Sequence, residues 1–227
     1  MIDNKCSFNH IYKFDADHVI DGVSVKDIRC RLGKRVASFL QASGTKFDII
    51  SAIPNTGYFY AEEIAESLGI EFRRIFEKIS GKRTLGQTEA KRILDYQTLL
   101  IASDKVPHNS HVLFIDEALL SGVTVRIIAN ACKQLGIHNY SFAFMSPVTY
   151  GQCPWDHIKN THRQFASLTD TASGETRMIL IEKFKKEIGA QSVFFCPEAL
   201  FYEVIDDSKT CTLCFYDDLS NVPVNAD

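Results

Sequence analysis

A basic excess, a long apolar run, an internal repeat and a linker are all missing from this sequence, and each absence removes a class of function. The 25 Lys and Arg are outnumbered by 28 Asp and Glu, for a net charge of −3. No duplex-binding face is indicated, so nucleic acid is not the expected partner. No apolar run approaches the roughly 20 residues that span a bilayer. The opening MIDNKCSFNH lacks the charged-then-apolar order of a signal peptide. We therefore expect no membrane partner and a cytoplasmic protein. Without a repeat, a low-complexity stretch or a Pro/Gly/Ser-rich linker, residues 1–227 read as one domain, long enough to bury a core. What is present fits that reading, with 45% hydrophobic and 23% charged residues, the composition of an ordinary globular protein.

The apolar pattern alternates between two periods. Ser24 and Asp27 form a capping signal, after which Val25, Ile28, Leu32, Val36, Phe39 and Leu40 recur at helical spacing until Ser43-Gly44. Phe47 to Ile53 is a short β-branched run closed by Pro54-Asn55-Thr56-Gly57, a buried strand entering a tight loop. A helix carrying Ala61, Ile64, Ala65 and Leu68 stops at Gly69. Glu71 to Lys78 reads as one strand, His111 to Ile115 as a stronger one, Val123 to Leu135 as a helix ended by Gly136, and Tyr140 to Met145 as a further strand. Thr176 to Ile188 reads as a helix, Ser192 to Phe195 as a strand, and Glu198 to Val204 as a short helix. Strands and helices in alternation imply parallel βαβ units and an α/β fold, with binding sites at the carboxyl ends of the strands. The polar stretch from Lys82 to Ser110 would be a long excursion between strands, of the kind that forms mobile lids.

Val112 to Thr124, VLFIDEALLSGVT, carries the most chemistry. Its strand delivers two acids, Asp116 and Glu117, where they can accept hydrogen bonds from vicinal ribose hydroxyls. The amides of Ala118, Leu119, Leu120, Ser121, Gly122, Val123 and Thr124 then open a helix, and a helix start favours a phosphate dianion. Gly122 permits close approach, and Ser121 and Thr124 add hydroxyls. The same pattern also fits a plain strand ending in surface acids.

This segment resembles the phosphoribosyl pyrophosphate signature of type I phosphoribosyltransferases. The likeness runs through most of the chain toward the synthase domain of amidophosphoribosyltransferase. His18 to Leu32, HVIDGVSVKDIRCRL, is similar to that family's first segment, and Asp48 to Gly57, DIISAIPNTG, to its pyrophosphate-loop strand. Phe76-Glu77-Lys78 with Arg83-Thr84 resembles its lysine strand and the start of its mobile loop, and Gly189-Ala190 to Ile205 its C-terminal strand and helix. The resemblance implies the type I phosphoribosyltransferase fold, a central parallel sheet flanked by helices with a mobile lid and a small hood or C-terminal extension. It also implies Mg2+ and phosphoribosyl pyrophosphate. Asp116, Glu117 and Lys78 would be catalytic, Pro54, Asn55, Thr56 and Gly57 would hold pyrophosphate, Ala118 to Thr124 the 5-phosphate, and Arg83 would bind substrate. Three departures stand out. Glu117 replaces the usual second Asp, Ser121 sits where relatives carry a basic residue, and YQTLLI at Tyr96 to Ile101 replaces a basic cluster in the lid.

The family's glutaminase precedes this domain, whereas the likeness here starts almost at Met1. A stand-alone synthase-like domain is the expectation, using free ammonia, a separate glutaminase or pathway enzyme, or another amine or nucleobase. A homo-oligomer is left open.

Seven cysteines remain to be placed. Cys211 and Cys214 form C-T-L-C followed by Phe215, a spacing that suits two thiolate ligands or an incidental buried pair. The iron-sulfur branch of the family joins such a motif to one cysteine near the start of the domain and one after the strand that follows the phosphate helix. Cys6 and Cys153 stand at those places. The resemblance thus implies a [4Fe-4S] cluster on Cys6, Cys153, Cys211 and Cys214, with Zn2+ as the alternative. Cys30, Cys132 and Cys196 read as buried, and His157 and His162 as ordinary polar residues. Tyr12, Phe14 and Tyr58 to Tyr60 read as packing. Two functions follow from the resemblance, transfer of a phosphoribosyl group or binding of phosphoribosyl pyrophosphate by a regulator or subunit. A scaffold whose only ligand is the cluster is a third.

Overall fold

The computed structural model describes residues 5–78, 100–102, 106–149, 177–205 and 209–215. A π-helix at Asn9–Lys13 leads to a two-stranded hairpin, β1 (Val19–Ile20) and β2 (Val23–Ser24), which turns at Asp21-Gly22. Helix α1 (Val25–Ala42) starts where the capping signal placed it. The Ser24 hydroxyl accepts from the Asp27 amide at 3.0 Å and donates to the Asp27 carboxylate at 2.7 Å.

Strand β3 (Ile49–Ala52) is buried throughout, and α2 (Gly57–Leu68) ends at Gly69, whose φ of 64° closes the helix in the left-handed region. Two short strands follow, β4 (Glu71–Phe72) and β5 (Phe76–Lys78). Then come β6 (Leu100–Ala102), β7 (Val112–Asp116), α3 (Val123–Gln134), β8 (Tyr140–Phe144), α4 (Arg177–Ile188), β9 (Val193–Phe195) and α5 (Glu198–Val204).

The main sheet has five parallel strands in the order β4-β3-β7-β8-β9. Alternate residues feed two cores, as a strand's period of two requires. Ile50, Ala52, Leu113 and Ile115 pack under α1 and α2, while Ile49, Val112, Phe114, Phe142 and Phe144 pack under α3 and α4. The order of β3 beside β7 sets the two loops after them next to each other, and Ala52 lies opposite Ile115 in the ladder.

One expected element is corrected. Glu71 to Lys78 is not a single strand. It divides between β4 on the edge of the main sheet and β5, which pairs antiparallel with β6 in a separate ribbon. The turn between them is fixed from below, where the Ile75 amide donates to the buried Ser51 hydroxyl at 3.3 Å and the Arg73 amide to the Ile50 carbonyl at 2.9 Å. Most of the expected lid lies outside the described residues, including Arg83 and Tyr96 to Leu99. No helix among the described residues is long and apolar enough to cross a membrane.

The N-terminal segment is tied to the core by buried polar contacts. Arg29, only 2% exposed, donates to the carbonyls of His10 and Phe14 at 3.1 and 2.8 Å. The buried Tyr60 hydroxyl donates to the Ile11 carbonyl at 2.9 Å. Tyr12 packs on Phe8, Phe14 stacks on His18, and Tyr58 donates to the Phe76 carbonyl at 2.8 Å. These aromatics are packing residues, as expected.

Candidate active site

Two loops meet over the carboxyl ends of β3 and β7. The first, Ile53 to Thr56, is drawn against β7 because the Ile53 amide donates to the Ile115 carbonyl at 2.8 Å. The peptide between Pro54 and Asn55 is cis. Pro54 is buried, Asn55 exposed and Thr56 partly exposed. Gly57 then opens α2 at a point where no side chain fits, since a Cβ there would lie 2.8 Å from the Ile115 carbonyl oxygen. One carbonyl therefore receives a hydrogen bond from the first loop and sets how closely α2 approaches the second.

The second loop follows β7. Asp116 and Glu117 are 8% and 6% exposed, which removes the surface-acid alternative. Their backbones are pinned to the segment after β8, where the Met145 and Ser146 amides donate to the Asp116 and Glu117 carbonyls at 3.0 and 2.9 Å. Burial, and next the Glu117 charge beside it, hold the Asp116 carboxyl well above the ordinary carboxylate range. The Glu117 amide opposes this in part by donating to Asp116 Oδ1 at 2.9 Å. Two acids in these surroundings can accept hydroxyl donors or face a cationic carbon.

From Ala118 to Thr124 the chain turns into α3 through Gly122, whose φ is 72°. The left-handed backbone favours glycine, and a Cβ there would crowd Arg126 Nη1 at 2.7 Å and the Phe184 ring at 3.0 Å. Leu119 and Val123 are buried, and Ser121 and Thr124 are partly exposed. Neither Arg126 nor Phe184 had a sequence signal pointing to the loop. Nor did Thr149, whose hydroxyl donates to the Leu119 carbonyl at 2.9 Å.

The other expected site residues divide. Lys78 ends β5, paired with Leu100. Arg83, Cys153, His157 and His162 lie outside the described residues. Cys6 and Cys211 meet in a parallel backbone bridge, reinforced by the Ser7 hydroxyl, which donates to the Cys211 carbonyl at 2.8 Å. Cys6 and Cys214 are buried in the same core cluster. The fold thus joins the N-terminal segment to the C-T-L-C motif, although no three His, Cys, Asp or Glu among the described residues are arranged to hold a metal ion. Cys132 and Cys196 are buried as expected. Cys30 is not: it is half-buried at the edge of the α1 stripe, and burial together with the nearby Glu63 raises its thiol pKa.

No family model matches the chain. It is similar to the amidophosphoribosyltransferase of Bacillus subtilis, with 26% identity over 218 residues that cover 92% of this chain and 43% of the relative. The amidophosphoribosyltransferase of Methanocaldococcus jannaschii is 25% identical over 92% of this chain and 42% of its own length. Among solved structures, the B. subtilis glutamine phosphoribosylpyrophosphate amidotransferase, complexed with ADP and GMP, superposes with a TM-score of 0.71. There the identity is 26% and the cover 94% of this chain and 46% of that one. The chain has the type I phosphoribosyltransferase fold. Its homologues are amidophosphoribosyltransferases, and it spans less than half the length of these relatives.

Proposed function

We propose that this domain, taken as residues 1–227, transfers a 5-phosphoribosyl group from magnesium-bound phosphoribosyl pyrophosphate to a nitrogen nucleophile and releases pyrophosphate. The nucleophile would be ammonia, an amine or a nucleobase. The observation that carries the reading is the meeting of two loops over neighbouring strands, joined at the Ile115 carbonyl, with a pair of buried acids at the head of the second. Homology to amidophosphoribosyltransferases supports it.

In this reading the 5-phosphate rests on Ala118 to Thr124, the ribose hydroxyls on Asp116 and Glu117, and the pyrophosphate on Pro54 to Gly57, with Lys78 and Arg83 as the basic residues that would meet its charge. Magnesium carried by the pyrophosphate held at Pro54 to Gly57 would supply positive charge to the leaving group. The bond from C1 to the pyrophosphate oxygen breaks, and the nitrogen lone pair forms the new bond to C1. The extra proton on nitrogen passes to solvent or to the departing oxygen. Asp116 and Glu117, once ionised, favour the positive charge that develops on the ribose.

The Cys6–Cys211 bridge supports a structural role for the cysteines, with Cys153 as the fourth ligand of a [4Fe-4S] cluster or Zn2+. Such a group would brace the two chain ends and take no part in the transfer.

The test is pyrophosphate release by anaerobically purified protein supplied with phosphoribosyl pyrophosphate, Mg2+ and ammonium. Release is expected. Tight binding without release, across ammonium and a panel of amines and nucleobases, would instead establish the second reading, a binding regulator, which Glu117, Ser121 and the YQTLLI segment favour.

A further inference from the structure

The loop from Ala118 to Thr124 carries no basic side chain, yet it is gripped from outside at two carbonyls. Thr149, itself fully buried, donates its hydroxyl to the Leu119 carbonyl at 2.9 Å. Arg126, one turn into α3, donates Nη1 to the Ser121 carbonyl at 3.1 Å. The guanidinium is fixed in turn by α4, where Nε and Nη2 donate to the two carboxylate oxygens of Glu187 at 2.5 and 3.0 Å and the group lies 5.2 Å from the centre of the Phe184 ring. The hydrogen bonds of this fork hold the Glu187 carboxyl below its usual range.

A trans peptide is planar, and its C=O and N–H point in opposite directions. Holding the Leu119 carbonyl therefore aims the Leu120 N–H away from Thr149. Holding the Ser121 carbonyl aims the Gly122 N–H away from Arg126. A cation on a carbonyl also polarises the peptide and makes its N–H the stronger donor. We infer that Thr149 and Arg126 are positioning residues that turn the Leu120 and Gly122 amides toward a phosphate group, standing in for a charged side chain in the loop. The inference rests on the proposed binding of the 5-phosphate by this loop.

Isothermal titration with ribose 5-phosphate and, separately, with inorganic pyrophosphate tests it on the full chain. Thr149→Val keeps the shape and removes the hydroxyl, Thr149→Ser restores it, and Arg126→Ala removes the second grip. Loss of one oriented donor to a charged group is expected to weaken ribose 5-phosphate about tenfold for Thr149→Val and for Arg126→Ala. Thr149→Ser should recover most of the loss, and pyrophosphate affinity should stay within about twofold throughout. Ribose 5-phosphate binding unchanged in both Thr149→Val and Arg126→Ala overturns the inference alone. So does an equal fall in both affinities with a lowered melting temperature, which would mark a general structural role. Failure of the unaltered protein to bind ribose 5-phosphate, while pyrophosphate still binds, overturns the phosphate-loop assignment and the inference with it.

Discussion

Gly57→Ala puts the joint between the two loops under direct test, because two effects of opposite sign compete there. In an ordinary helical position, replacing Gly with Ala stabilises by about 1 kcal/mol, and Gly57 has no left-handed backbone to forbid it. Here the new Cβ would lie 2.8 Å from the Ile115 carbonyl oxygen, about 0.6 Å inside the 3.4 Å at which ordinary contact begins. That oxygen cannot move aside without cost, since it accepts the Ile53 hydrogen bond at 2.8 Å and belongs to a strand paired on both edges. The start of α2 must yield, and with it the Pro54 to Gly57 loop. Overpacking of this kind costs about 1–3 kcal/mol, which against the gain of about 1 kcal/mol leaves a net loss of up to about 2 kcal/mol and a fall in melting temperature of up to roughly 8 °C for a domain of this size. Since a misplacement near 1 Å can cost about a hundredfold in rate, half of that displacement should cost pyrophosphate release about tenfold. Calorimetry gives the stability, and titration separates the loops. Pyrophosphate and phosphoribosyl pyrophosphate should bind more weakly, with ribose 5-phosphate little changed. An alanine variant that melts higher and binds all three ligands as before would refute the idea that this carbonyl spaces the loops.

Glu117→Gln removes a charge that raises the Asp116 pKa, so the acidic limb of the pyrophosphate-release profile should move to lower pH; a limb that stays put or rises would contradict the coupling. Tyr60→Phe strands the buried Ile11 carbonyl and should cost about 1–3 kcal/mol by urea unfolding, with no cost arguing against the tie between α2 and the N-terminal segment. His111, lowered from 6.5 mainly by burial, binds its proton less readily when folded. Its contribution is therefore whole above about pH 6.5 and lost as the pH falls from there toward the folded value, and the melting temperature should drop over that interval, less so in His111→Gln. Anaerobic protein should be brown with broad visible absorbance that Cys211→Ser abolishes, whereas a colourless, zinc-bearing protein would replace the cluster with zinc.

Elements whose determinants are local could be read from the chain. The Ser24 cap, the run from Val112 to Ile115 and the stops at Gly69 and Gly136 each depend on neighbours within a few residues, and each appears where expected. Glu71 to Lys78 pairs with different partners in its two halves, β3 for one and β6 for the other, and a period of two in the sequence cannot distinguish one sheet from two. Cys30 lies at the margin of a helical stripe, where periodicity alone does not settle burial.

The binding loop shows the same division at finer scale. Its motif supplied the donors and the glycine, all within Val112 to Thr124, but not the direction in which its peptides face. That direction comes from Thr149, 30 residues beyond the carbonyl it holds, and from Arg126, itself held by Glu187, 61 residues further on. Ser121 supplies no charge to the loop. A side chain in the loop contributes one charge at one point, whereas an oriented amide row contributes several partial charges that need no further ordering when the ligand arrives. The missing basic residue therefore does not by itself argue against phosphate binding. Its loss shifts the work to peptides whose orientation is fixed elsewhere, and it makes Thr149 and Arg126, rather than Ser121, the positions at which ribose 5-phosphate affinity should be most sensitive to change.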